Sequence, residues 1–493
     1  MKFLRSAGIL LHPTSLPGPN GIGELGPDAF RFLDFLNAAG MTIWQMLPLG
    51  PTGYGDSPYQ CFSAFAGNPM LINIPGATST LPQSEVDFAA IISRKRPQLQ
   101  QLFERFVPDA RFQKWTKQQP WLDDFALFST IKAEHEGAAW TDWASPLAAY
   151  DGAALESFRT SHVRQIQQVY FEQYVFFRQF DALKQESAKR GIRLMGDLPI
   201  YVAHDSVDVW ANRDLFQLDE AGALIVQAGV PPDYFSETGQ LWGNPIYNWE
   251  KMREQQYAWW IERMRASLAM FDVVRLDHFR GFEAYWEVPG AATTAVNGQW
   301  VKGPGAELFQ AMTDALGPLP IIAENLGLIT PAVEALRKQF SFPGMSILQF
   351  AFGGDEKKPN EFKPHNLQRE SVVYTGTHDN DTTVGWWNAE ADGDSTRTAN
   401  DVEREKSDAR NYLDTDGREM HWTLIRAALA SVADTVLIPM QDVLGLGSDA
   451  RMNLPGRQSG NWKFRFSWNQ LAPSDVTRLR ALTRLFDRQA DRH

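Results

Sequence analysis

The chain has 493 residues, enough for three ordinary domains or for one large α/β barrel carrying long insertions. Its 47 Lys and Arg against 59 Asp and Glu give a formal charge of −12, so the long-range field repels polyanions and argues against nucleic acid and anionic membrane as partners. The single cysteine, Cys61, rules out a disulfide framework within the chain and fits a reducing compartment.

The opening MKFLRSAGILLHP offers only a five-residue apolar run, 7–11, too short for a signal-peptide core. No uninterrupted apolar stretch approaches the roughly 18 residues of a membrane span, so a soluble cytoplasmic protein is expected. Strand candidates follow at 8–11, 42–47, 192–198, 273–278, 320–325, 346–350, 372–377 and 435–439. Between them, helical periods cover 28–39, 155–189, 249–270, 331–339 and 417–432; the first has Pro27 at its start and Gly40 just past its end. Strands alternating with helices predict a parallel sheet with crossover helices, and eight strands is the count of a (β/α)8 TIM barrel.

Spacing between the strands is uneven: about 145 residues separate the second and third candidates and about 75 the third and fourth, more than a crossover helix needs. The chain is therefore expected to be a single catalytic barrel over 1–493, with inserted subdomains in the loops after strands at approximately 51–160, 203–248, 285–318 and 380–416. The charged stretch 388–410 has the composition of a solvated loop or helix face.

The segment GIGELG at 21–26 matches a dinucleotide-binding fingerprint, but Pro13, Pro17 and Pro19 precede it and the next strand ends in Leu47-Pro48-Leu49 rather than an acid. A structural turn is the expectation. Phosphate-loop and nucleophile-elbow motifs are missing. The two closest of the nine histidines, His365 and His378, are 13 positions apart, and no D-x-D-x-D calcium loop occurs, so neither a metal nor a cofactor is expected.

Four carboxylates close strand candidates: Asp197 in LMGDLPIY, Asp277 in VVRLDHFRGF, Glu324 in IIAENLG and Asp379 in YTGTHDND. One such acid alone most often caps a turn. Four together point to the mouth of a barrel, where residues from different strand ends converge. Arg275 and Asp277 are two apart and so share a strand face; the guanidinium would favour the ionised form a nucleophile needs. His278 and His378 each adjoin one of the acids. Convergent carboxylates suit glycosidic bond chemistry, in which one attacks the anomeric carbon while a protonated partner serves the leaving oxygen. The 17 Trp, 12 Tyr and 31 Phe fit a sugar partner, because pyranose C–H faces pack on aromatic rings. Tyr54 and Tyr59 in GPTGYGDSPYQ, and Tyr234, Phe235 and Trp242 in GVPPDYFSETGQLWGNP, fall where turn residues predict loops, the latter a candidate lid over 229–245.

These segments, with HPTSLPGPNGIGELG, WQMLPLGPTGYGDSPYQ, FAGNPMLI, GDLPIYVAHDSVDVWA, AENLGLIT, YTGTHDNDTTVGW and ARMNLPG, closely resemble the 4-alpha-glucanotransferases called amylomaltase or disproportionating enzyme, over residues 12–456. The resemblance implies a (β/α)8 barrel that moves an α-1,4-glucan segment from a donor to the 4-hydroxyl of an acceptor by a retaining double displacement. It implies Asp277 as nucleophile, Glu324 as acid/base and Asp379 as stabiliser of the distorted sugar. Arg275, His278, His378 and Asp197 would line the sugar at the cleavage point. Gln240, Trp242, Tyr59, Ser57 and Asn453 would hold neighbouring units, and Tyr54 would be a platform for a longer glucan. The expected substrates are maltooligosaccharides and starch- or glycogen-derived α-glucans. Cys61 stands where the family commonly has serine, with no functional consequence expected.

Residue chemistry alone leaves two other readings, an α-amylase-like retaining hydrolase and a non-catalytic glucan-binding protein. Transfer prevails over hydrolysis only where the acceptor is oriented and water is poorly placed.

Overall fold

The computed structural model describes residues 5–76, 84–232, 237–354, 359–390, 398–457 and 459–489. Strands β1 (Ser6–Leu10), β2 (Ile43–Gln45), β3 (Arg193–Leu198), β4 (Val273–Leu276), β5 (Ile321–Ala323), β6 (Gly344–Ile347), β7 (Ser371–Tyr374) and β8 (Thr435–Pro439) form one eight-stranded sheet. Each of the eight predicted strands has a counterpart, the sixth displaced toward the N-terminus because 348–350 form the turn Leu348–Ala351, and every ladder between them is parallel. The two edges, β5 and β6, meet: Ala323 N donates to Pro343 O at 2.9 Å and Met345 N to Asn325 Oδ1 at 2.8 Å. The sheet is thus a nearly closed barrel.

Strands of such a sheet are covered on both faces, which is why they are short continuous apolar runs rather than alternating ones. SAGIL of β1 and TVLIP of β8 are buried throughout. Inside the barrel, Ile43, Met195, Val273, Ile322, Met345, Val372, Tyr374 and Leu437 pack together as a distinct inner core. On β1 the interior is so crowded that a Cβ at Gly8 would lie 2.4 Å from the Ile43 carbonyl oxygen.

Helices Pro27–Ala39, Val163–Lys189, Ala258–Met270, Ala306–Leu316, Pro331–Gln339 and Met420–Ala430 connect successive strands, and Pro473–Leu485 follows β8. Between β6 and β7 the described residues hold only the short turns Leu348–Ala351 and Pro364–Asn366. Two predicted helices are broken. The 249–270 segment divides into Trp249–Glu254 and Ala258–Met270, because Gln256 and Tyr257 both take positive φ, 54° and 57°. The 155–189 segment divides at His162, whose ring stacks on Phe158 and whose Nδ1 lies 2.9 Å from the Phe158 carbonyl. Neither break has a Gly or Pro to announce it. The charged stretch does carry a helix, Ala399–Leu413, capped by Thr398 and Asp401.

GIGELG is a structural turn: Gly23 N donates to Thr14 O, and a Cβ there would fall 1.9 Å from the Pro13 carbonyl oxygen. Beyond the barrel, Gln240–Pro245, Val226–Val230, Ala284–Pro289 and Gln299–Lys302 form, in that order, a four-stranded antiparallel sheet. Among the described residues no helix is long and apolar enough to cross a membrane.

Candidate active site

The C-terminal ends of the parallel strands bring most of the predicted residues into one connected cluster. Asp197 closes β3, Asp277 follows β4 directly and Glu324 follows β5 directly. Asp379 lies farther out, in the loop beyond β7 rather than at its end.

Arg275, on β4, is the hub. Its Nη1 lies 2.8 Å from both oxygens of Asp197, and its Nη2 lies 2.8 Å from Asp277 Oδ1. Tyr59 donates its hydroxyl to Asp197 Oδ2 at 2.9 Å. Burial pushes the Asp197 carboxyl up from its ordinary value, while the Arg275 guanidinium pulls the other way. The carboxylates hold the Arg275 charge firmly despite burial.

Glu324 has a different environment. Its Oε2 accepts the His278 backbone N–H at 2.8 Å and its Oε1 that of Leu326 at 2.7 Å. Burial pushes its pKa from 4.5 up to about 7, against the pull of Arg275 and with the push of Asp277. His278 presents that amide by taking a left-handed conformation, φ 49° and ψ 51°, a strained choice for a residue with a side chain. Burial pushes the His278 imidazole down to about 4, so it is neutral near pH 7. The Trp242 ring meets it edge-on, 4.7 Å between centroids.

Asp379 accepts from Asn453 Nδ2 at 2.6 Å and lies 3.3 Å from His378 Nε2. The His378 ring stacks on Tyr59, centroids 5.2 Å apart, joining this pair to the Arg275 cluster. Ser57 Oγ accepts the Tyr59 amide at 3.2 Å, and Gln240 accepts from the Trp242 indole at 3.3 Å. Tyr54 stands apart, 68% exposed. Tyr234 and Phe235 lie outside the described residues. The loop expected over 229–245 is in part a hairpin: Trp242 sits on the strand Gln240–Pro245, beside an irregularity in its pairing with Val226–Val230.

Four residues of the site escaped sequence reasoning. Trp462 packs against both Tyr59 and His378, at 5.8 and 6.1 Å. His12, pushed down to about 3 by burial first and by His378 second, lines the same cavity as Thr377 and His378. Arg451 donates to the Asp379 carbonyl. Asp442 accepts from the Thr375 and Thr383 hydroxyls and the Thr383 amide at 2.5–2.8 Å, bracing the loop that carries His378 and Asp379 at both ends. The one available signal was Asp442 following β8 closely, as the other acids follow their strands.

Of the four carboxylic acids in the cluster, Asp197 and Asp277 are paired with the Arg275 guanidinium and Glu324 is pushed toward neutrality, with further hydrogen-bonding groups and rings around them. That contrast matches acid-assisted displacement at an anomeric carbon.

Comparison with known proteins agrees with this chemistry. The 4-alpha-glucanotransferase family model matches residues 11–471. A 4-alpha-glucanotransferase from Thermus thermophilus is 47% identical, over 99% of this chain and 100% of the relative. The chloroplastic/amyloplastic 4-alpha-glucanotransferase DPE1 of Arabidopsis thaliana is 41% identical over 98% of this chain and 86% of its own length. Among solved structures, an amylomaltase from Streptococcus agalactiae in complex with acarbose superposes with a TM-score of 0.93 at 37% identity, covering 98% of this chain and 100% of that one.

Proposed function

The chain belongs to the 4-alpha-glucanotransferase family and acts on α-1,4-glucans, and we propose that it does so by a retaining double displacement in which Asp277 is the nucleophile and Glu324 the acid/base. The observation that carries the assignment is the contrast between the two acids: Asp277 is ion-paired with Arg275 at 2.8 Å, whereas Glu324 is pushed up to about 7.

In the first step an Asp277 carboxylate oxygen attacks the anomeric carbon of the donor. Glu324 gives its proton to the glycosidic oxygen, and the reducing-end fragment leaves. In the second step the ionised Glu324 takes the proton from an acceptor 4-hydroxyl, which displaces Asp277 and restores the original anomeric configuration. Asp379, aligned by Asn453 and His378, would bind hydroxyls of the distorted sugar. Asp197, Arg275, His278 and His378 would surround the same unit. Tyr59, Ser57, Gln240, Trp242 and Asn453 would hold its neighbours, and Tyr54 a more distant one. Acarbose, bound by the Streptococcus agalactiae relative, would occupy this cleft.

Our reading of the architecture is a (β/α)8 barrel with insertions at approximately 51–160, 203–248, 285–318 and 380–416. We assign the physiological substrates to maltooligosaccharides and starch- or glycogen-derived α-glucans, and the reaction to the cytoplasm, where the single cysteine fits a reducing compartment. Chromatography of maltotriose products tests the activity: transfer makes glucose and oligomers longer than maltotriose, and hydrolysis alone makes glucose and maltose.

A further inference from the structure

Trp300 lies on the edge strand Gln299–Lys302 of the antiparallel sheet and is 42% exposed. Its cross-strand partner is Trp286, the two rings 5.2 Å apart and inclined at 64°. Arg280 lays its guanidinium over the Trp300 ring, 3.8 Å from the centroid. Arg280 is itself buried, and its Nη1 donates to the Leu328 carbonyl.

These contacts tie the indole to both catalytic loops. Arg280 is three residues beyond Asp277, at most about 11 Å of chain, and Leu328 is four residues beyond Glu324. The Leu328 side chain is itself 60% exposed. A lone exposed apolar side chain needs no explanation. Here one buried arginine joins an exposed indole to the loop of an exposed leucine, just beyond Asp277 and Glu324 in the chain, and the indole leaves on the order of 100 Å² uncovered.

We infer that Trp300 is a stacking platform for a glucose unit of an α-1,4-glucan that extends past the units bound at the cleavage point. The inference rests on the function proposed above and extends the same groove outward between the loops after β4 and β5. Trp286 and Arg280 fix the ring in place, so stacking a sugar on it costs little further side-chain entropy. The exposed ring suits the C–H face of a pyranose, and Lys302, two residues on along the strand and so exposed on the same face, offers a donor to its hydroxyl rim. A neutral glucan is indifferent to the Arg280 charge beneath the ring, whereas a basic ligand would be repelled by it.

The test compares Trp300→Ala and Trp300→Phe with wild type, using consumption of maltoheptaose and of maltotriose. The expected result is that the ratio of kcat/KM for maltoheptaose to that for maltotriose falls about tenfold in Trp300→Ala, through KM, and largely recovers in Trp300→Phe. Equal losses on both substrates would make Trp300 a prop for the catalytic loops and overturn the inference. An unchanged ratio would overturn it too, including one accompanied by a change of oligomeric state on size-exclusion chromatography, which would mark an interface between copies. The ratio can be read for either reaction, so a wild-type enzyme that only hydrolyses maltotriose would refute the transfer reading without being mistaken for a failure at Trp300.

Discussion

Arg275 Nη2 lies 2.8 Å from Asp277 Oδ1, while the same guanidinium grips Asp197 through Nη1 at 2.8 Å. The geometry asks one residue to orient the nucleophile and to neutralise a second, fully buried acid. Removing it leaves Asp197 without its cation in a site where solvent cannot replace it. Arg275→Ala should therefore cost about 3–5 kcal/mol of stability in urea unfolding. Arg275→Lys keeps a charge but not the fork that reaches both acids, so it should retain more stability than activity.

The pH dependence of kcat/KM should carry the signature of Glu324. With its pKa near 7, the protonated acid needed for the first step is lost as pH rises through that value. The rate on maltotriose should fall on the alkaline side of about 7. Glu324→Gln should lose about 10²–10⁴-fold, with that alkaline limb missing from its residual activity.

The same carboxyl links stability to pH. It binds its proton more tightly folded than unfolded, so its contribution is fully present below its ordinary value of 4.5 and is lost as pH rises through about 7. Glu324→Gln has no such loss. Relative to wild type, it should gain about 1–3 kcal/mol between pH 4 and pH 8, measured by chemical denaturation at both values.

Trp242 stands edge-on to His278, where it can shield the glycosyl intermediate from water and orient an acceptor. In Trp242→Ala, the yield of oligomers longer than maltotriose should fall relative to hydrolysis products. An unchanged ratio would show that the indole only binds donor.

The barrel was legible because strands buried on both faces leave short apolar runs, and the acids because they terminate those runs. Asp197, Asp277 and Glu324 could be placed from chain position alone. Asp379 could be placed only approximately, since its loop continues past the end of β7 and is held by the distant Asp442. Trp242 was expected on a loop because Gly and Pro surround it, yet backbone pairing with Val226–Val230 makes the segment a strand. Such pairing has no local signature, and neither does the packing of Trp462 on Tyr59. The helix breaks at His162 and Tyr257 arise from side-chain and backbone choices that the apolar period does not record.

The most direct test of the central claim is to trap the intermediate. α-Maltosyl fluoride needs no acid to lose its leaving group, so Glu324→Gln should be glycosylated by it and then stall, with no base to activate an acceptor. Peptide mapping by mass spectrometry should find one maltosyl residue esterified to Asp277. A glycosyl group on Asp197 or Asp379, or steady turnover of the fluoride with no adduct, would contradict the account.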